Sequence, residues 1–189
     1  MGKEYTEIDE RLQKWIARQH VFFVATAPLS ANGLVNCSPK GLDSLRILGP
    51  NTLAYVDIGG SGVETVAHLK ENGRIVIMLC AFDGSPKIFR FYGTGNVVEP
   101  HDSRFSELLA RFPAQPSARN IIEVAVERII DSCGYGVPLY EFKKDRDSLA
   151  NYYGKKTDQE IADFRQDRNA ASLDGLPGLK FIDGLNRAN

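Results

Sequence analysis

The chain has 189 residues, 43% of them hydrophobic and 25% charged, which is ordinary for a globular domain long enough to bury a core. Its formal net charge of −1 gives no electrostatic basis for binding nucleic acid or an anionic membrane, so we expect neither partner. No apolar run approaches the roughly 20 residues that a membrane helix needs.

The cysteines and histidines are few and widely spaced: Cys37, Cys80, Cys133, His20, His68 and His101. Because the cysteines are odd in number and lack CxxC pairing, we expect no disulfide framework. The histidines show no metal-ligand spacing, so we expect no metal site. The N-terminus lacks the apolar segment of a signal peptide, and free cysteines suit a reducing compartment. We therefore expect a cytoplasmic protein.

The first part of the chain is predicted to form one helix followed by four strands. Apolar residues at helical spacing predict an amphipathic helix over residues 8–19, with Trp15 in the core. Runs rich in β-branched and aromatic residues, separated by Gly and Pro turns, predict the strands. They cover residues 21–27, 34–38, 44–48 and 52–58.

The following part mixes helices with longer strands. A helix over residues 63–71 is predicted to end at Asn72-Gly73. Strands follow over residues 74–82 and 87–99, and the second contains Gly93 and Gly95, which suggest a bulge or a close backbone approach. A helix is predicted over residues 103–112, a strand with one wet face over residues 121–130, and a polar helical tail beyond.

This order of elements predicts a mainly β fold. About six strands at short spacing, mostly hairpin-linked and interrupted by one helix, favour an antiparallel barrel with flanking helices. A Rossmann fold is disfavoured because strands and helices do not alternate regularly. Gly59, Gly60 and Gly62 also do not make the GxGxxG fingerprint.

Two features that favour an anion lie on either side of one hairpin. Residues 38–41, Ser-Pro-Lys-Gly, end a strand and carry Lys40. The glycine-rich loop, residues 59–62, opens onto the second helix, whose first turn carries Thr65. Glycines let backbone N–H groups approach a ligand, and a helix start favours negative charge, so the pair predicts a phosphate site. The alternative is that Lys40 is solvated in a proline turn and Thr65 is an ordinary helix residue.

Other polar residues carry less functional information. Arg74 and Arg90 are interpreted as rim residues paired with carboxylates, with phosphate or ring contact as the alternative. Cys37 is predicted to be a small core residue rather than a nucleophile, since no histidine lies near it in sequence. No Ser-His-Asp or paired-carboxylate arrangement can be argued, so catalytic residues stay unknown. If the protein is an enzyme, we expect a cofactor to carry the chemistry.

Three segments taken in order resemble the pyridoxamine 5'-phosphate oxidase-like flavoproteins. They are Asn36-Cys37-Ser38-Pro39-Lys40-Gly41, then Gly62-Val63-Glu64-Thr65-Val66-Ala67-His68-Leu69, then Asn72-Gly73-Arg74-Ile75. Two more segments, Ser132-Cys133-Gly134-Tyr135 and Asp174-Gly175-Leu176-Pro177-Gly178, resemble one branch of that family. The resemblance spans most of the chain.

The resemblance implies a Greek-key antiparallel, FMN-binding split β-barrel that works as a homodimer with two FMN sites at its interface. In that family a strand-end lysine lies near the FMN phosphate, and Lys40 matches it. The segment 37–39 would line the isoalloxazine, residues 55–57 would follow the ribityl chain, and residues 62–65 would lie at the phosphate. The implied cofactor-binding residues are Cys37, Ser38, Pro39, Lys40, Tyr55, Val56, Asp57, Gly62, Glu64, Thr65 and Arg90, with Arg90 and residues 132–135 reaching FMN from the partner subunit.

The chain also departs from true pyridoxamine 5'-phosphate oxidases. Those enzymes resemble one another in a C-terminal segment that contains Trp and an Arg-His pattern, whereas here the only tryptophan is Trp15 and no Arg-x-His pattern follows Tyr135. Glu64 and Thr65 replace the basic pair of the phosphate helix. FMN binding is therefore better supported than vitamin B6 oxidation.

We expect a flavin-binding domain over residues 1–140 and a helical extension over residues 141–189 packed on it. The expected function is a cytoplasmic FMN-dependent oxidoreductase acting on a small organic substrate. One alternative is a flavin-binding or sensing protein without turnover. Another is a relative that binds haem or the deazaflavin F420, with His68 and His20 as the candidates for a haem ligand.

Overall fold

One antiparallel sheet forms the body of the molecule. The computed structural model describes residues 2–114 and 117–180, and within them the sheet has eight strands. The strands are β1 Glu4–Tyr5, β2 Phe22–Thr26, β3 Asn36–Lys40, β4 Leu45–Gly49, β5 Thr52–Ile58, β6 Arg74–Cys80, β7 Ile88–Val98 and β8 Ala118–Ser132. The helices are α1 Glu10–Ile16, α2 Glu64–Asn72, α3 Phe105–Leu109, α4 Ser148–Tyr153 and α5 Asp158–Asn169.

The strand order shows how the sheet curls into a split barrel, with β3 and β4 as its two end strands. Along the sheet the order is β3-β2-β6-β7-β8-β5-β4, with β1 paired to β8. β3 and β4 follow one another in the chain yet lie at opposite ends of this order. Residues 41–44 join them and can span at most about 18 Å between Lys40 and Leu45, so the sheet must curl until its two ends approach. In that connection Leu42 and Asp43 take left-handed φ angles of 59° and 52°.

Apolar side chains fill the inside of the curled sheet. The main cluster and the side chains packed against it come from most of the strands and from α1, whose Leu12 and Ile16 are buried. Trp15 packs on Phe89 with ring centroids 4.8 Å apart, which agrees with its predicted place at the core. A second cluster lies between α3 and the sheet, around Phe105. This burial is the main source of stability of the fold.

Local sequence determines where the helices begin and end. The Asp9 carboxylate accepts from the Leu12 N–H at 2.7 Å, so α1 begins at Glu10 rather than at residue 8. α2 ends at Gly73, which adopts φ 71° as the predicted stop requires. α5 begins with a capping box between Thr157 and Glu160.

The predicted fold class is confirmed, because the chain forms a mainly antiparallel split barrel with few helices. The predicted number of about six strands was too low: each of the seven strand ranges predicted from the sequence overlaps a strand of the sheet, and β1, which has only two residues, was missed. β8 also begins at Ala118 rather than at residue 121. No helix within the described residues is long and apolar enough to cross a bilayer.

Residues 141–180, here called the C-terminal extension, carry α4 and α5. The buried side chains of these helices are Tyr153, Ile161, Arg165 and Asn169. The division into residues 1–140 and 141–189 stays a prediction, and residues 181–189 of the predicted extension lie outside the described residues.

Gly93 should tolerate no side chain. It lies at the bulge where β7 meets β8, and a Cβ there would come 2.0 Å from the Ala125 carbonyl oxygen. We expect Gly93→Ala to lower the free energy of unfolding by about 1–3 kcal/mol in urea denaturation, the usual cost of overpacking. Gly136→Ala is the control, because its Cβ would meet nothing within 4 Å. Equal stability of both variants would contradict the close approach.

Candidate functional site

A carboxylate buried in an apolar strand is the centre of the candidate site. β5 reads Thr-Leu-Ala-Tyr-Val-Asp-Ile, and its Asp57 is 0% exposed. Lys40 Nζ donates to Asp57 Oδ1 at 2.7 Å, and Arg119 Nε donates to Oδ2 at 2.8 Å. Asn120 Nδ2 adds a third bond to Oδ2 at 3.2 Å. Each carboxylate oxygen is therefore paired.

The two cations keep Asp57 ionised. Burial alone would raise the pKa of this carboxyl, but the charges and hydrogen bonds of Arg119 and Lys40 outweigh burial and hold the pKa well below its usual range. One carboxylate against two cations leaves a net charge of +1 in the cluster. A buried excess of positive charge favours an anion nearby.

Lys40 is the member of this cluster that solvent can reach. It ends β3, and its side chain is 21% exposed while that of Asp57 is 0% exposed. Its ammonium also lies 5.9 Å from the ring centroid of Tyr55. An ammonium has three N–H donors and Asp57 takes one, so the others can serve a ligand.

The start of α2 offers backbone donors without protein acceptors. Val63 is the N-cap residue and makes no side-chain cap hydrogen bond. Within the described residues, the N–H groups of Ser61 and Gly62 in the glycine-rich loop also donate to no protein atom. Unpaired N–H groups at a helix start form a site that favours anions.

Arg119 connects the glycine-rich loop to the cation cluster. Its Nη1 donates to the Gly60 carbonyl at 3.0 Å, while its Nε holds Asp57. One planar guanidinium thus fixes the distance between the carboxylate that binds Lys40 and the loop that precedes α2. Arg119 is 5% exposed, so its role is internal.

A second polar chain connects β3 to α2. Ser38 Oγ donates to Asn36 Oδ1 at 3.0 Å, and Asn36 Nδ2 donates to Thr65 Oγ1 at 2.9 Å. Asn36 also reaches Thr26, whose hydroxyl lies 2.9 Å from His68 Nδ1. Ser38, Lys40 and Thr65 were predicted to form one site. These hydrogen bonds connect β3, which carries Ser38 and Lys40, to the first turn of α2, which carries Thr65.

Glu64 lies at the start of α2, as the resemblance implied, and brings a negative charge there. A Cβ built on Gly62 would lie 2.5 Å from Glu64 Oε2, so the carboxylate folds back over the loop. Its Oε1 accepts from the Leu173 N–H at 3.4 Å. The carboxylate is stabilised by the helix dipole and would repel a bound phosphate.

The remaining predicted residues are either buried in the barrel core or bonded to groups other than Lys40 and the glycine-rich loop. Tyr55 and Val56 are 0% and 1% exposed, so their side chains belong to the barrel core. Burial, followed by the charge of Asp57, raises the pKa of the Tyr55 hydroxyl well above its usual value. Arg90 donates to Ser132 Oγ at 3.0 Å. Within the described residues, no hydrogen bond or ion pair joins Arg90 or Ser132 to Lys40.

Cys37 and Pro39 are exposed on β3. The prediction that Cys37 is a core residue was therefore wrong, and the reason is its place on an end strand of the sheet. The two candidate haem ligands both pack against other parts of the protein. His68 is fully buried, and His20 stacks on Phe142 with ring centroids 3.6 Å apart.

The sequence reasoning missed Arg119, Asn120 and Asn169. The first two precede the apolar run that marked the strand at residue 121, so they were not assigned to it. The signal that could have found them is Asp57 itself, since a carboxylate inside an apolar strand requires a buried cation. Asn169 gave no signal, because its partners Gly60 and Ser61 lie more than 100 residues away.

Comparison with known proteins identifies the family. The sequence pattern named "Pyridoxamine 5'-phosphate oxidase" matches residues 8–133. The chain belongs to this family. It is also similar to the pyridoxamine 5'-phosphate oxidase family protein ustO of Aspergillus flavus, with 37% identity over 192 residues, covering 93% of this chain and 77% of ustO.

Two solved structures have a fold similar to that of this chain. Crystal structures of Group A Streptococcus HupZ and of a variant with one histidine replaced by alanine match with TM-scores of 0.52 and 0.51 and identities of 22% and 24%. The matches cover 67% and 66% of this chain and 94% and 99% of the HupZ chains. At these identities the likeness concerns the fold alone.

The Asp57 cluster predicts a large loss of stability on removal of its charge. Asp57→Asn leaves two cations without their carboxylate, so we expect the free energy of unfolding at pH 7 to fall by about 3–5 kcal/mol in urea denaturation. Asp43→Asn is the control, since the Asp43–Arg46 pair at 2.8 Å is 69% exposed at the carboxylate. Such an exposed pair is worth about 1 kcal/mol or less.

The pH dependence gives an independent check. Because the pKa of folded Asp57 is lowered, its contribution is present above the unfolded pKa of about 3.9 and is lost as pH falls through the lower folded pKa. The difference in stability between wild type and Asp57→Asn should therefore persist at pH 5 and shrink only in stronger acid. A difference that disappears near pH 5 would contradict the assignment.

Proposed function

We propose that this protein binds FMN and acts as a flavin-dependent oxidoreductase on a small organic substrate. The observation that supports this best is the double connection between β3 and the start of α2. Lys40 reaches the glycine-rich loop through Asp57 and Arg119, and Ser38 reaches Thr65 through Asn36. A cation and a set of unpaired N–H groups are thus held at a fixed spacing.

The donor set fits the phosphate end of FMN. Lys40 supplies a positive charge that solvent can reach, the loop and the start of α2 supply N–H groups, and the cluster carries a net charge of +1. Phosphate is a strong acceptor that carries up to two negative charges, so charge-assisted hydrogen bonds from these groups suit it. Membership of the pyridoxamine 5'-phosphate oxidase family, whose resemblance already implied FMN, supports the same cofactor.

The chain's own residues would bind and orient the cofactor. Lys40 and the loop amides would hold the phosphate, and the exposed face of β3 at Cys37 and Pro39 would lie against the isoalloxazine. Asn36 fixes the rotamer of Ser38 and so the direction of its hydroxyl. FMN itself, when bound, supplies hydride and electron transfer.

We also propose a homodimer that covers the region around β3. Leu34 and Val35, just before β3, are 53% and 75% exposed, and Leu29 and Leu173 are 65% and 79% exposed. The Leu34 N–H donates to Asp174, which brings residue 173 close to Leu34. Exposed apolar groups that lie together are typical of an interface. A monomer in sedimentation equilibrium at all concentrations would contradict the dimer.

The first experiment is purification without added cofactor, followed by a visible spectrum and mass identification of any released chromophore. Released FMN supports the proposal, and its reduction by NADH or NADPH with turnover of a test substrate supports an enzyme. Flavin without turnover would leave a binding or sensing protein. A protein that carries no flavin and fails to bind added FMN would refute the cofactor assignment.

Lys40 should distinguish FMN from riboflavin, which lacks the phosphate. We expect Lys40→Ala to weaken FMN binding by about 1.5–3 kcal/mol, the scale of a charge-assisted hydrogen bond, and riboflavin binding much less. Calorimetric titration of both ligands measures the difference. Lys14→Ala is the control, because its side chain is 81% exposed. An equal loss for both flavins would place Lys40 away from the phosphate.

Glu64 should act in the opposite direction. Glu64→Gln removes the carboxylate beside Gly62, so we expect FMN to bind more tightly by about 0.5–1 kcal/mol, with no gain for riboflavin. The gain should decrease as salt is added, since screening weakens the repulsion in wild type. Glu141→Gln, an exposed position outside the site, is the control. Weaker FMN binding by Glu64→Gln would mean that the carboxylate supports the loop instead.

A further inference from the structure

The glycine-rich loop is held by residues that the family pattern does not include. That pattern matches residues 8–133, whereas Tyr153, Arg165 and Asn169 belong to the C-terminal extension. All three are buried, at 5%, 3% and 0% exposure. Two are polar side chains that solvent does not reach, so their hydrogen bonds within the protein determine what they do.

Asn169 fixes the carbonyl side of the loop. Its Nδ2 donates to the Gly60 carbonyl at 3.0 Å and lies 3.4 Å from the Ser61 carbonyl. Arg119 donates to the same Gly60 oxygen. The two carbonyls are therefore directed into the protein, towards α5.

Because peptide bonds are planar, the direction of these two carbonyls also determines the direction of the N–H groups that follow them. In a trans peptide the C=O of one residue and the N–H of the next point in opposite directions. With the carbonyls of Gly60 and Ser61 directed inwards, the N–H groups of Ser61 and Gly62 are directed away from Asn169. Within the described residues these two N–H groups have no protein acceptor.

The rest of the extension keeps Asn169 in place. The backbone carbonyl of Asn169 accepts from the Leu179 N–H at 2.8 Å. One helical turn earlier in α5, Arg165 Nη2 donates to the Ala118 carbonyl at 2.9 Å and so holds α5 against β8. The Tyr153 hydroxyl lies 2.1 Å from where a Cβ on Gly59 would be, so it covers the beginning of the loop. The loop is thus fixed at Gly59, Gly60 and Ser61.

We propose that Asn169 is a positioning residue for the phosphate of FMN, because it orients the Ser61 and Gly62 N–H groups as a pair of donors. This inference rests on the proposed function. Asn169 itself does not touch the phosphate. Holding both amides before binding removes the ordering cost that a free loop would incur on binding.

Asn169→Leu tests the inference, since leucine has a similar volume and no donor. We expect the affinity for FMN to fall about tenfold, which corresponds to about 1.4 kcal/mol, and the affinity for riboflavin to fall less than about threefold. Both constants are measured by calorimetry on the full chain. The control is Asn151→Leu, an exposed asparagine of α4, which should leave both affinities unchanged.

The outcomes separate this inference from the proposed function. If wild type binds FMN no better than riboflavin, the phosphate site and the role of Asn169 are both refuted. If wild type prefers FMN and Asn169→Leu keeps that preference, only the role of Asn169 is refuted. An equal loss of both flavins would show a merely structural role and would also overturn the inference.

A measurement on wild type covers the case in which Asn169→Leu does not fold. In 15N–1H spectra, FMN should shift the Ser61 and Gly62 backbone N–H signals while riboflavin does not. The Asn169 side-chain amide protons should stay protected from exchange with and without FMN, as expected for a buried donor. Unshifted loop signals, or rapid exchange at Asn169, would overturn the proposal.

Discussion

The buried ion cluster at Asp57 is the interaction on which the rest of the site depends. An isolated carboxylate at 0% exposure would be neutralised or expelled, so β5 can hold an ionised Asp57 only beside a cation, and Lys40 and Arg119 supply two. The cost of burying these charges is offset by the hydrogen bonds that both carboxylate oxygens accept in good geometry. As a result, the end of β3, the end of β5 with the loop that follows it, and the start of β8 keep a fixed spacing.

The sequence allowed the architecture to be predicted because its strands have strong local patterns. Runs such as residues 74–82 and 52–58 are apolar, β-branched and bounded by turn residues, and the strands formed there within two residues of the predicted ends. β1 could not be predicted, since two residues carry no period and its pairing depends on β8. The N-terminal boundary of β8 was placed too late because Arg119 and Asn120 are polar, and their burial is caused by Asp57 rather than by local preference.

The site could be predicted only where its residues lie in local motifs. Lys40 at a strand end and glycines before a helix each have a short-range physical meaning, and both lie at the observed cluster. Asn169, Tyr153 and Arg165 act over long sequence separations, and nothing in a polar helix indicates which loop it will meet. The family pattern ends at residue 133 and gives no information on them. A three-dimensional structure was needed to see that the extension holds the loop.

The position of β8 in the sheet has a consequence for the synthesis of the chain. β8 pairs with β7 on one side and β5 on the other, and its end also pairs with β1. Until β8 leaves the ribosome, the ladder β3-β2-β6-β7 and the hairpin β4-β5 are two separate half-sheets connected only by the chain. The same strand brings Arg119 and Asn120, so until then the Asp57 carboxylate has at most Lys40 as a partner. Neither the barrel nor the cation cluster can therefore be complete before β8 has been synthesised, and a pause in translation before residue 118 would leave both half-sheets exposed to aggregation.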